Sequence, residues 1–108
     1  QEIVNFCKKH NLIILADEIH SDLVFKPKKH IPVASIREAQ EISIICTSIT
    51  KTFNVPGVIT SNLIIPNEKI RNEVKEILDV AVIHNPNIFA AAITEAAYND
   101  VIIGWMKC

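Results

Sequence analysis

The sequence predicts an α/β fold, on three observations. Leu12–Ala16 is a short, continuously apolar run ended by Asp17-Glu18, and Glu41–Thr47 looks like a second such strand, as in a buried parallel sheet. A 3–4 spacing of apolar residues over 68–82 predicts an amphipathic helix. The order helix, strand, connection, strand, strand, helix, helix belongs to mixed α/β architecture.

Residues 1–11 read as the end of an amphipathic helix, with Ile3, Phe6 and Cys7 on one face and Lys8 and Lys9 suiting the C-terminal end of its dipole. Residue 1 is Gln and nothing caps it, so the chain is expected to be a piece of something longer. Leu12–Ala16 is the first strand, expected to be buried on both faces. Residues 21–40 hold a loop with Pro27 and Pro32, then one or two helical turns over Val33–Gln40. Glu41–Thr47 is the second strand. A third, Ser61–Ile65, is stopped by Pro66, which cannot continue a ladder. Asn67 has the character of an N-cap, with Glu68 in the first turn and Ile70, Val74, Ile77, Leu78 and Ala81 along one face. Pro86 interrupts the chain, and an Ala-rich helix over about 88–98 is expected to pack closely against a neighbour. Residues 101–108 are apolar. Three strands in so short a chain leave open apolar edges, which also argues for missing neighbours.

Composition narrows the function. The 108 residues include 2 glycines, where average usage of about 7% would give roughly 8. A self-contained nucleotide domain with its own Gly-rich loop is therefore not expected. Ile is abundant, at 20, and apolar residues make up 49%, so the chain is globular. A net charge of −1 offers no footprint for nucleic acid, and no apolar run approaches a membrane span. Cys7, Cys46 and Cys108 form no CxxC and no even framework, so reduced thiols and a cytoplasmic location are the expectation. His10, His30 and His84 lack ligand spacing, and no metal site is expected.

Two stations could carry chemistry. Asp17-Glu18-Ile19-His20-Ser21-Asp22 follows the first strand, and Thr47-Ser48-Ile49-Thr50-Lys51-Thr52-Phe53-Asn54 follows the second. Ligands in α/β folds sit at such carboxyl ends, and parallel strands would open both stations onto one rim. Each has a plain alternative. An acidic pair after a strand often caps a helix or faces solvent, and a lysine beside hydroxyls is commonly solvated.

Two sharper readings compete. Leu12–His20 could be the Walker B strand of a DExH-type ATPase, with Thr47–Thr50 as its following motif and the acidic pair on Mg²⁺. No G-x-x-x-x-G-K-[ST] loop accompanies it. Alternatively, Lys51, Asp17 and the hydroxyls of Ser48 and Thr50 match what pyridoxal 5'-phosphate (PLP) needs: an amine for its aldehyde, a carboxylate for its ring nitrogen, and donors for its phosphate.

The residues resemble those of the PLP-dependent class I/II aminotransferases of fold type I, and within them the branch of cystathionine β-lyases and related C–S lyases. The resemblance is carried by 16–23 (ADEIHSDL), 30–32 (HIP), 48–57 (SITKTFNVPG), 87–90 (NIFA) and 96–98 (AAY), in the family's order along nearly the whole chain. It implies that Lys51 is the Schiff-base lysine, that Asp17 pairs with the pyridine nitrogen, and that Ser48, with Thr50 as a weaker candidate, binds phosphate. It places His20 where aminotransferases have a tyrosine bonding the ring hydroxyl; the lyase branch often has His there. Asn54 and His30 match the branch without an assigned role.

The implied fold is a slice of the PLP-binding large domain, a mixed, mostly parallel sheet with flanking helices, incomplete on its own. Residues 1–66 would be its strand-rich cofactor-binding part and 67–108 its helical part. The implied function is C–S β-lyase on sulfur amino acids such as cystathionine, with aminotransferase as the near alternative, an amino-acid substrate and a homodimeric parent. An inert truncated product is the remaining reading. There are departures. Ile59 stands where many aminotransferases have a phosphate-binding Arg, which the lyase branch commonly lacks too. Tyr98 and Trp105 are one residue too far apart, Val101 replaces an expected Gly, and Gly104 lies in this drifted tail. The phosphate turn, the ring-stacking aromatic residue, the upstream Asn-Pro segment and the carboxylate-binding Arg of the family have no counterpart in the sequence.

Overall fold

A computed structural model of the chain describes residues 1–83 and 85–101. His84, Gly104, Trp105 and Cys108 lie outside the described residues, as does most of the apolar tail expected over 101–108. Five α-helices and three strands occur among the described residues: α1 (Glu2–Lys9), β1 (Ile14–Asp17), α2 (Arg37–Gln40), β2 (Ser43–Thr47), α3 (Ile49–Thr52), β3 (Asn62–Ile64), α4 (Glu68–Val80) and α5 (Ile88–Ala96). Short 3₁₀ turns at Val33–Ser35 and Pro56–Val58 and a π turn at Ala97–Val101 complete the order.

The sheet has the order β1-β2-β3. β1 runs parallel to β2 with Asp17 level with Cys46, and β3 runs antiparallel to β2 with Asn62 level with Thr47. The sheet is thus mixed, with parallel pairing on one side of β2 and antiparallel pairing on the other. The third strand is shorter than the expected Ser61–Ile65. Its reversed direction follows from the 14-residue connection between Thr47 and Asn62, which returns to the rim it left rather than crossing to the far end of the sheet.

Burial corrects two expectations. β1 is not enclosed on both faces: Ala16 is buried, while Leu15 beside it is 69% exposed. In α1 the enclosed residue is Val4, and Ile3 and Phe6 face outward, Phe6 lying 4.5 Å from the His10 ring. An apolar stripe has two flanks, and the side that meets the rest of the chain selects one. The enclosed core centres on β2 and the segments C-terminal to it, through Ile45, Ile49, Val58 and Ile65.

The helices start where side-chain caps start them. Asn67 Oδ1 accepts from the Ile70 N–H at 3.1 Å, as its N-cap character predicts, and its Nδ2 donates to the Glu41 carbonyl and carboxylate. Arg71 adds bonds to the carbonyls of Ile65 and Pro66. α4 ends at Val80, two residues before the expected 82, where Val82 turns into the left-handed region. Asn87 caps α5 through the N–H groups of Phe89 and Ala90. α5 is α-helical to Ala96, short of the expected 98, and continues as the π turn. Of its small residues, Ala90 is buried, as is Ala97 in the π turn that follows, whereas Ala91, Ala92 and Ala96 are exposed, so the close packing expected is met on one side only.

Candidate functional site

The parallel register builds the site. Because Asp17 ends β1 beside Cys46, and Ser48 follows β2 two residues later, both stations open at the same rim of the sheet. Asp17 is exposed there, and its Oδ1 accepts from the Ile19 N–H at 3.2 Å, turning the chain sharply off the strand. Burial, and then the Asp17 carboxylate, push the Cys46 thiol above its ordinary pKa. The carboxylate's field therefore falls on the end of β2. Cys7 and Cys46 are free thiols.

Glu18 is not the solvated partner of an acidic pair. It is buried, its Oε1 accepts from the Val33 N–H at 2.7 Å, and its Oε2 lies 3.2 Å from His30 Nε2. Those contacts pin both ends of the 21–32 loop near the rim. They also give His30 a structural partner, which its place in the sequence did not suggest. His20 is exposed in the first turns of that loop, where Ser21 N–H bonds the Glu18 carbonyl and Leu23 N–H bonds the His20 carbonyl.

The second station is a single helical turn. Ser48 caps it: its Oγ accepts from the Thr50 N–H at 3.1 Å, lies 2.8 Å from Thr50 Oγ1, and donates to the Thr60 carbonyl at 2.6 Å. With the Ser48 proton committed to Thr60, the Thr50 hydroxyl is the donor between the two. Ile49 is almost wholly buried and anchors the turn. Lys51 is exposed on it, and among the described residues nothing bonds its ammonium. Thr52 is buried, and its Oγ1 donates to Asp22 Oδ2 at 2.8 Å, joining the two stations across 30 residues.

Beyond Lys51 the chain turns back through Asn54 and Ile59, both at positive φ (53° and 47°). For Ile59, β-branched, the left-handed region costs roughly 1–2 kcal/mol. Asn87 reaches this segment and donates to the Val58 carbonyl at 2.6 Å, and Phe53 meets Tyr98 edge to face at 6.1 Å. These links tie α5 to the lysine-bearing segment.

The donor set fits PLP chemically. An unbonded primary amine, an exposed carboxylate at the neighbouring strand end, and two hydroxyls on the lysine's own turn share one rim. Among the described residues no three His, Cys, Asp or Glu side chains gather in a metal-holding group. No helix there is long and apolar enough to cross a membrane. The sequence-predicted Asp17, His20, Ser48, Thr50 and Lys51 stand at or near this rim, and the tethers at Glu18, Asp22, Thr52 and Asn87 were not expected. The last had a signal, since Asn before a helix is a recognised cap.

Comparison with known proteins shows the family. The family described as aminotransferase class I and II matches residues 1–107. The cystathionine beta-lyase PatB of Bacillus subtilis (strain 168) is 37% identical over 94 residues, which are 86% of this chain and 24% of PatB. A tyrosine aminotransferase of Caenorhabditis elegans is 42% identical over 67 residues, 62% of this chain and 14% of that protein. A PLP-bound protein from Clostridium difficile 630 superposes with a TM-score of 0.86 at 40% identity, over 92% of this chain and 26% of that one. The chain therefore spans about a quarter of PatB's length, and less of the tyrosine aminotransferase.

Proposed function

The chain belongs to the class I and II aminotransferase family, which is PLP-dependent, and on that basis we propose that it carries the cofactor-anchoring rim of a C–S β-lyase acting on sulfur-bearing amino acids such as cystathionine. The observation that carries the proposal is the register that sets Asp17 and the Lys51 turn at one rim. PatB's likeness and His20 favour the lyase; the tyrosine aminotransferase's likeness keeps transamination as the second reading. Family membership displaces the DExH-type ATPase reading.

Bound PLP supplies an electron sink for the charge left when a substrate Cα loses its proton. Lys51 would hold the cofactor through its amine. Once released by the substrate's amino group, that amine would take the Cα proton as general base. The Asp17 carboxylate would keep the ring nitrogen protonated. His20 would bond the ring hydroxyl. Ser48 and Thr50 would bond the phosphate, and Thr50 is the freer of the two. Its proton can swing from Ser48 to a charged oxygen, a stronger acceptor, while Ser48 keeps Thr60. In β-elimination Lys51 would take the Cα proton, the thiolate would leave Cβ and pick up a proton, and water would hydrolyse the remaining enamine to ammonia and a keto acid. In transamination the Lys51 amine would instead give back the proton it took, again as the acid–base group. The working enzyme would be a homodimer, with residues 1–66 as the cofactor-binding part and 67–108 as the helical part.

The test is to load the full chain with PLP, reduce with borohydride and map the modified peptide. Lys51 should carry the cofactor and Lys51→Ala should carry none. Modification spread over surface lysines would sink the assignment. In a separate, unreduced sample of the PLP-loaded protein, cystathionine should yield thiol and keto acid together. Keto acid that forms only with an added amino acceptor, and without thiol, would select the aminotransferase.

A further inference from the structure

We infer that the hydrogen bond from Thr52 to Asp22 is a positioning device, setting where the Lys51 amine stands relative to the Asp17 carboxylate. The inference rests on the reading of Lys51 and Asp17 as the two ends of the cofactor site. α3 is four residues long, far below the length at which a helix holds itself. Its internal bonds are local: the Ser48 cap, Phe53 N–H to the Ile49 carbonyl, and Val55 N–H to the Thr50 carbonyl. They fix the shape of the turn without fixing its orientation toward β1. The buried Ile49 side chain, the Ser48–Thr60 bond and the Phe53–Tyr98 ring contact hold the turn from other sides, and the Thr52–Asp22 bond is the tie that reaches the segment leaving β1.

Asp22 is exposed, but the backbone that carries it is closed by turns. The Asp17–Ile19 bond and the two successive turns closed on Glu18 and His20 lead from the end of β1 to Asp22. Glu18 in the same stretch is held by Val33 and His30. The bond thus closes a ring: from Asp17 through the turns to Asp22, across to Thr52, back through α3 to Ser48, and along β2 to Cys46, which faces Asp17. Thr52 is adjacent to Lys51, so a rotation of the turn that breaks the bond also swings the lysine. A threonine on a helical turn can satisfy its hydroxyl on a carbonyl one turn back. Here it reaches instead to a carboxylate 30 residues away, a stronger, charge-assisted bond.

The experiment compares T52V, T52S, D22A and the double variant D22A/T52V in the full chain. Three readouts are used: PLP affinity, the pH midpoint of the visible absorbance of the Lys51-linked cofactor, and hydrogen exchange of the cofactor-free protein. T52V should weaken PLP binding roughly tenfold or more. It should also shift the absorbance midpoint, and speed exchange in 49–54 and 19–23 together. T52S should restore all three. The double variant should be no worse than the worse single one, because both remove the same bond. T52V and T52S alike in affinity and absorbance, or single effects that add, would overturn the positioning role alone. Failure of borohydride to fix PLP on Lys51 in the unsubstituted protein would overturn the reading beneath it and the positioning role together.

Discussion

The rim of the sheet and the helix α4 are built on opposite terms. The rim is cross-tied by bonds between residues far apart in sequence: Glu18 to Val33 at 15 residues, Ser48 to Thr60 at 12, Asp22 to Thr52 at 30. It stands on buried Ile45 and Ile49. α4 has a pronounced apolar face but no fully buried residue; Ile70, Val74 and Leu78 are half-buried, and Ile77 is 68% exposed. It is held at its N-terminal end, by the Asn67 cap and by Arg71. Periodicity therefore announces a face to be covered without supplying the cover. A site, by comparison, can be organised by a few polar ties over a small core.

The largest effect that probes this contrast is a paired truncation. Ile45→Ala should cost roughly 2–5 kcal/mol by leaving a cavity in the core. Ile77→Ala should cost about 0.5 kcal/mol or less, as surface changes do. Denaturant unfolding of the full chain measures both. Equal losses would break the contrast, because they would mean that α4 has its apolar face enclosed.

Glu18→Ala sharpens the other side. It leaves the Val33 N–H without its acceptor and His30 without its partner, for a loss of about 1–3 kcal/mol. Glu18→Gln keeps a carbonyl oxygen for Val33 and should lose less. An alanine variant as stable as the parent would show that the rim does not depend on its ties.

The smallest effect concerns Cys46. Its raised pKa means less thiolate at a given pH, so alkylation should be slow near pH 8 and quicken as pH rises through the thiol's folded value. Asp17→Asn removes the neighbouring negative charge, lowers that value and should speed alkylation at pH 8. The gain should be modest, since burial is the larger cause and stays. An unchanged rate would detach the Asp17 carboxylate from the end of β2.

Much of this was legible beforehand. The element order, the Asn67 cap and the two stations after successive strands all rest on local patterns that a short window of sequence carries. The resemblance to fold type I enzymes is what proposes roles for Asp17 and Lys51 beyond their place at the strand ends. Less legible was which flank of a stripe would be enclosed. The burial of Val4 rather than Ile3 or Phe6 depends on the path of chain segments that meet the helix from elsewhere.

Local patterns in the chain set where strands and helices begin and end to within a few residues, and which side chains stand at the strand ends. Alternation, helical spacing and caps are short-range physics. It took the folded chain to make β3 run against β2, to turn Glu18 inward to Val33 and His30, and to bring Thr52 to Asp22. Those outcomes depend on how the loops 21–32 and 53–61 return to the rim. A bond between residues 30 positions apart leaves no local trace, because either partner is equally at home facing water until the fold brings the other to it.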